Sequence, residues 1–322
     1  MCARKNGADF MENLLLSLRC VTPMFLILCL GLLVRRFRII SEDSVHDLST
    51  LSFRALLPCL LFYNVYSADL RTAAQPGLLA FLLAWTLGWF LLGCVLFTLT
   101  VRDPRRRGAF LQNVFRSNIA VIGVSLAQSM LDAQWVAAVA VSVSVLVPLY
   151  NVLAVVTLET CRGGRLDWKK IVKNILTNPL ILACVLGFLC LLLDIRLPEP
   201  VEKAVSNVGS AGSVTTLVAL GASFRFDGLR QNLRPVLFGT VLRLVISPLA
   251  AVTLAVLLGF RGGALGVILI CTASPTATTS YPMALACDSD HELTGQLVVS
   301  TSLFCSLTLF LWIFLLKQTG LL

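Results

Sequence analysis

The sequence predicts an all-α polytopic membrane protein, with ten transmembrane helices arranged as two repeats of five. Three observations carry that prediction. Of 322 residues, 57% are hydrophobic and 13% charged, and the charged fraction is about half that of a soluble domain. Apolar runs of about twenty residues, enough to cross ~30 Å of hydrocarbon at ~1.5 Å per residue, cover nearly the whole chain. The pattern of those runs also repeats.

The runs fall at roughly 12–34, 45–66, 76–101, 108–130, 133–158, 177–194, 201–224, 234–258, 262–287 and 293–316. The first is too long for a signal-peptide core and lacks a small-residue cleavage site, so it is expected to stay as a spanning helix. Eleven cysteines are scattered singly with no C-x-x-C pair. They read as small apolar packing residues rather than metal or redox sites, and no cofactor is expected.

A net charge of +9 does not indicate nucleic acid here, because Lys and Arg gather in alternate loops. The clusters are Arg35, Arg36 and Arg38; Arg102, Arg105, Arg106 and Arg107; Arg162, Arg165, Lys169, Lys170 and Lys173; and Arg225, Arg230 and Arg234. The loops between hold only Arg71, Arg196, Lys203 and Arg261. The positive-inside rule then makes the odd-numbered loops cytoplasmic and leaves both termini outside. The link DSDHE after the ninth run is an exception, with no Lys or Arg.

The repeat is visible in TPMFLILCLG (22–31) and NPLILACVLG (178–187), where Pro23, Leu26, Leu30 and Gly31 recur as Pro179, Leu182, Leu186 and Gly187. The same offset of 156 residues carries the starts of runs 2 to 5 onto those of runs 7 to 10 within four residues. Five is odd, so the second copy enters the membrane inverted, an arrangement that supports alternating access around a midplane site. The expected organisation is a first five-helix repeat (1–158), a basic cytoplasmic linker (159–176) and a second repeat (177–322).

Runs 4 and 9 are the interrupted ones. Run 4 contains NVFRSNIAVIG (113–123), polar at Asn113, Arg116, Ser117 and Asn118. At the same offset Asn118 falls on Ser274, within CTASPTATTSYPMALA (271–286). Pro275 lacks an N–H and crowds the preceding turn, freeing carbonyls near the bilayer centre. Non-helical backbone at that depth is tolerated only where it is buried in protein or lines a cavity. A half-helix that restarts there points its N–H groups and partial positive charge inward, which suits a carboxylate. Arg116 has two readings: a ligand or gate contributing a bidentate fork, or an anchor snorkelling to the surface. Arg54 and Arg243 are read as snorkelling. Pro58, Pro148 and Pro248 are read as kinks.

No Asp or Glu lies near the middle of any run; Asp69, Glu159, Asp194 and Asp227 fall at helix ends, and His46 and His291 at loop or helix-start positions. A carboxylate relay for protons or sodium has no evident place. Nor does the chain show the carboxylate pair, metal cluster or nucleophile–base set of a membrane-embedded enzyme, so it is read as not an enzyme.

The segments RSNIAVIG (116–123) and ASPTATTSYPMALACDSDHEL (273–293) resemble the auxin efflux carrier family, which includes plant auxin exporters and bacterial permeases for malonate and malate. Weaker echoes are LLPCLLF (56–62), NPLILACVLG and LVALGASF (217–224). The resemblance implies a fold similar to sodium/proton antiporters and bile acid symporters, with helices 4 and 9 broken and crossing. By position it implies that Asn118 and the backbone around Ile119 to Gly123 contact the substrate carboxylate, with Pro275 and its neighbours across the crossover. Together with the polar residues beside them, the expected substrate site is Arg116, Ser117, Asn118, Ile119, Ile122 and Gly123 from one break, and Ser274, Pro275, Thr276 and Tyr281 from the other. Family members usually carry Pro two residues after the run-4 glycine; Ser125 stands there, which predicts a gentler break in run 4 than in run 9. The expected function is secondary transport of a small organic anion, a mono- or dicarboxylate or an auxin-like acid. The expected partners are that anion, membrane lipids and a second copy in a homodimer. A sodium- or proton-coupled symporter, and a sensor or channel on the same fold, are the alternatives.

Overall fold

The computed structural model describes residues 22–67, 75–162 and 168–322. The start of the first apolar run (12–21), Asp69, Arg71 and Arg165 lie outside these residues. The described chain is helical, and its one β-type pairing is an isolated bridge between Ser117 and Thr276. In order the helices are α1 (22–36), α2 (Glu42–Tyr66), α3 (Pro76–Thr100), α4 (Pro104–Phe115), α5 (Ile119–Met130), α6 (Ala133–Cys161) and α7 (Trp168–Thr177). There follow α8 (Pro179–Leu192), α9 (Glu199–Ser223), α10 (Phe226–Val241 continuing through Leu242–Ile246 and Ser247–Leu257), α11 (Gly262–Ala273), α12 (Ser280–Ala286) and α13 (His291–Gln318).

Helix starts are chemically marked. The Asp103 carboxylate accepts from the Arg105 N–H ahead of Pro104, and the Asn178 carbonyl accepts from Leu180 and Ile181 N–H ahead of Pro179. Each side chain satisfies donors that a helix start leaves unpaired, and proline lacks the donor that position cannot use. Among the described residues five helices are individually long and apolar enough to span a bilayer: α2, α3, α6, α10 and α13. Runs 4 and 9 are each split, into α4 with α5 and α11 with α12. The break in run 4 covers 116–118 and that in run 9 covers 274–279, so the gentler break is the one without proline.

Three helices contain a π turn, Ser52–Leu56 in α2, Ile119–Gly123 at the start of α5 and Leu242–Ile246 in α10, and the first and last are each followed within two residues by proline, Pro58 and Pro248. Proline removes the bond to the carbonyl four residues back, and the wider turn absorbs the mismatch. For Pro248 that carbonyl belongs to Leu244, and the Trp312 Nε1–H donates to it at 3.1 Å.

Helices approach most closely through glycine. A Cβ on Gly31 would lie 2.2 Å from the Val218 carbonyl oxygen and 3.0 Å from the Cα of Gly221, in α9. A Cβ on Gly187 would lie 2.7 Å from the Phe62 carbonyl oxygen and 3.2 Å from the Cβ of Val65, in α2. Both members of the first contact and both of the second differ by the same 156 residues. Thus α1 packs on α9 as α8 packs on α2.

The ninth link also finds its place. Asp288 and Asp290 pair with Arg162 at 2.6 Å and Arg106 at 3.4 Å. The hydrogen bond to Asp288 holds the Arg162 guanidinium above its ordinary range. The acidic link therefore sits among the basic loops, which explains why it needs no Lys or Arg of its own; such exposed pairs contribute about 1 kcal/mol or less.

Gly31→Ala should lower the melting temperature of the purified protein by several degrees, since overpacking against backbone costs about 1–3 kcal/mol. Gly88→Ala, where a new Cβ meets nothing within 4 Å, should leave melting unchanged or raise it slightly.

Candidate functional site

The two breaks meet and satisfy one another. The Asn118 N–H donates to the Pro275 carbonyl at 2.9 Å, and the Ala277 N–H donates to the Arg116 carbonyl at 3.1 Å. This is a single antiparallel rung centred on Ser117 and Thr276, three residues beyond the 156 offset, of which two are already present between α4 and α11, whose starts and ends differ by 158 residues. Around it the Thr276 hydroxyl donates to Asn113 Oδ1 at 2.6 Å, and Asn113 Nδ2–H donates to the Gly239 carbonyl at 2.9 Å. The Thr276 N–H donates to the Thr301 hydroxyl at 3.2 Å. The break of run 9 is thereby tied to α4, to α13 and, through Asn113, to α10.

Arg116 does not snorkel. It is 2% exposed, and its guanidinium donates to Gln112 Oε1 at 3.0 Å, Met283 Sδ at 2.9 Å, Asn151 Oδ1 at 2.6 Å and the Thr279 hydroxyl at 2.7 Å. All four acceptors are neutral. A cation taken out of water is normally paired with a charge, and no carboxylate among the described residues bonds to this one.

Arg243 corrects the snorkelling reading. It is also 2% exposed, and it donates from Nε and Nη2 to the Ser274 carbonyl at 3.0 and 2.9 Å and from Nη1 to the Val114 carbonyl at 3.0 Å. Its place in the π turn of α10 escaped a reading by regular helical spacing. Arg54, in the π turn of α2, is exposed.

Arg116, Ser117, Asn118, Ala120, Asn151, Tyr150, Ala277, Thr278 and Thr279 line a cavity of about 30 Å³, room for a water or two. Beside it the hydroxyl of Ser117 and the Nε2 of Gln112 are buried without a partner. Ala120 belongs to the first turn of α5, where the Val121 and Ile122 N–H groups donate to the Asn118 carbonyl and those of Ile119 and Ala120 precede the first bond of the helix.

The remaining positions singled out from sequence do different work. Ile119 and Ile122 are 0% and 1% exposed and packed in the apolar core; their side chains do not line the cavity. Gly123 is enclosed by Ile119, Val139 and Ile270. Ser274 turns its hydroxyl back to the Ile270 carbonyl and Pro275 contributes its carbonyl to the rung. Tyr281 lines a separate vestibule of about 410 Å³, with Arg35, Glu42, His46, Arg225 and His291 at its wall. In that wall Glu42 pairs with both Arg35 and Arg225, at 2.5 and 2.6 Å. Asn151, Thr279 and Asn113 were not anticipated as site residues. Asn151 stands alone in an apolar run with Pro148 three residues before it, which was the available signal.

Thr276→Val should leave Asn113 Oδ1 without its donor at a cost of about 1–3 kcal/mol, lowering the melting temperature by several degrees. Thr276→Ser, which keeps the hydroxyl, should retain most of it.

The comparisons with known proteins agree with this architecture. The family model described as "Membrane transport protein" matches residues 17–162 and 165–313. An uncharacterized transporter of Methanocaldococcus jannaschii, MJ1031, is 22% identical over 304 residues, covering 91% of this chain and 96% of the relative. An uncharacterized transporter of Methanothermobacter thermautotrophicus is 22% identical over 303 residues, covering 92% and 97%. Among solved structures, the sodium proton antiporter MjNhaP1 of Methanocaldococcus jannaschii superposes with a TM-score of 0.57 at 13% identity, over 97% of this chain and all of that one; the likeness is one of fold. With helices broken and paired as described and the family model matching nearly end to end, the chain belongs to the membrane transport proteins of the auxin efflux carrier family.

Proposed function

We propose that this multi-pass membrane transporter carries a small organic anion, a mono- or dicarboxylate, at the meeting point of its two broken helices. The observation that carries the reading is Arg116, a full positive charge at 2% exposure held only by neutral acceptors and lining the cavity with Asn118. A carboxylate arriving there gains a charge-assisted fork. It also gains the first two N–H groups of α5, those of Ile119 and Ala120, and the unpartnered Ser117 hydroxyl. The dipoles of Gln112, Asn151 and Thr279 can turn away at modest cost. Ser274, Pro275 and Thr276 shape the site from the opposite break, and Ile119, Ile122 and Gly123 back it.

In this reading the two five-helix repeats are inverted and rock against each other about the crossover. The paired contacts at Gly31 and Gly187, displaced by one offset, support the repeat. The cavity of about 30 Å³ is too small for a dicarboxylate, so it corresponds to a closed site that must widen to load. The vestibule beside Tyr281 is the access route from the basic face, which we take as cytoplasmic, with both termini outside. The family resemblance also implies a homodimer.

Purified protein in liposomes should exchange radiolabelled malonate or malate against the same internal anion with saturation. Arg116→Gln should lower exchange at least about tenfold, the effect of removing a hydrogen-bonded charge worth about 1.5–3 kcal/mol. Asn118→Ala should raise the half-saturation concentration. An Arg116→Gln protein that melts like the wild type and exchanges anions at the wild-type rate would remove Arg116 from the site.

A further inference from the structure

We infer that Arg243 is a tethered cation, covalently part of the chain, that occupies the electrostatic position a bound monovalent cation would otherwise take between the two converging helix ends. The assignment goes beyond the anion reading and does not depend on it.

Both α4 and α11 run towards the crossover and stop there, at Phe115 and Ala273. Each brings its C-terminal carbonyls, unpaired within the helix, and a partial charge of about −0.5. Two such ends sum to about one negative unit, which matches one guanidinium. In carriers with discontinuous helices these carbonyl ends are the groups that coordinate a coupling cation. Here the same kind of oxygen, Val114 from α4 and Ser274 at the end of α11, accepts from one side chain, at 3.0 Å and at 3.0 and 2.9 Å respectively. The side chain comes from α10, on neither broken helix, and the π turn Leu242–Ile246 carries it.

Three features separate this from an ordinary buried arginine. The three hydrogen bonds of the Arg243 side chain all go to main-chain oxygen, and those oxygens lie at two helix ends rather than one. The guanidinium is rigid and keeps its proton, so the charge stays in place. Among the described residues no Asp or Glu pairs with Arg243, so the helix ends are its counter-charge. Arg116, by contrast, bonds only side chains. One cation is committed to the framework, and the other is held by groups that can let go.

The consequence is indifference to the monovalent cation in solution. Purified wild-type protein should melt within about 1 °C in sodium, potassium or N-methylglucamine chloride at equal ionic strength; a sodium-specific rise overturns the inference. Arg243→Ala should melt lower by about 5 °C or more and recover in millimolar guanidinium but not in urea, which has a similar shape and no charge. Equal recovery in both overturns the assignment of charge. Should Arg243→Ala not yield folded protein, the conservative pair decides. Arg243→Lys should fold and remain indifferent to sodium, while Arg243→Gln should be destabilised and become sodium-sensitive; an Arg243→Gln as stable as the wild type overturns the inference. None of these readouts involves an organic anion, so failure of the substrate assignment leaves them unaffected.

Discussion

A backbone group in hydrocarbon has no water to turn to, and an interrupted spanning helix leaves several such groups at once. This chain interrupts two helices and lets each repair the other, through two bonds between Asn118 and Pro275 and between Arg116 and Ala277. The rest of the core serves that rung. Asn113 and Thr301 hold Thr276, Arg243 gathers the carbonyls of both upstream halves, and α6 contributes Asn151 to the side chain that enters from the break. The pairing is short because two breaks, not a sheet, have to be satisfied, and a short pairing can be dismantled and remade.

The two buried arginines differ in the type of partner that compensates their charge. An unpaired arginine at a helix centre costs about 3 kcal/mol on insertion scales, so both need compensation. Arg243 finds it in main-chain carbonyls, which cannot rotate without unwinding a helix. Arg116 finds it in Gln112, Asn151 and Thr279, whose dipoles swing about side-chain bonds. The first arrangement is a brace. In the proposed function the second exchanges its acceptors for a ligand's.

Packing around the crossover follows from residues that remove obstacles. Glycine lets α1 touch α9, and α8 touch α2, at backbone distance, and proline with its neighbouring π turn reshapes α2 and α10. The carbonyl that Pro248 leaves is taken by Trp312, so the distortion of α10 that sets Arg243 in place is anchored from α13.

The sequence by itself determined the class, the approximate helix boundaries and the location of both breaks, because these depend on local quantities: apolar run length, proline, and polar residues inside apolar runs. The 156-residue offset was also legible, since both halves carry the same punctuation at Pro23 and Pro179 and at Gly31 and Gly187. That Asn118 and Pro275 face each other was legible too, but the bridge centred on Ser117 and Thr276 was not, because an offset between repeats aligns equivalent positions without fixing which backbone groups bond. Only the tertiary structure decided where the arginines point. An arginine near a helix end reads identically whether it snorkels or turns inward, and the choice rests on acceptors brought by other helices: Asn151 and Thr279 for Arg116, Val114 and Ser274 for Arg243.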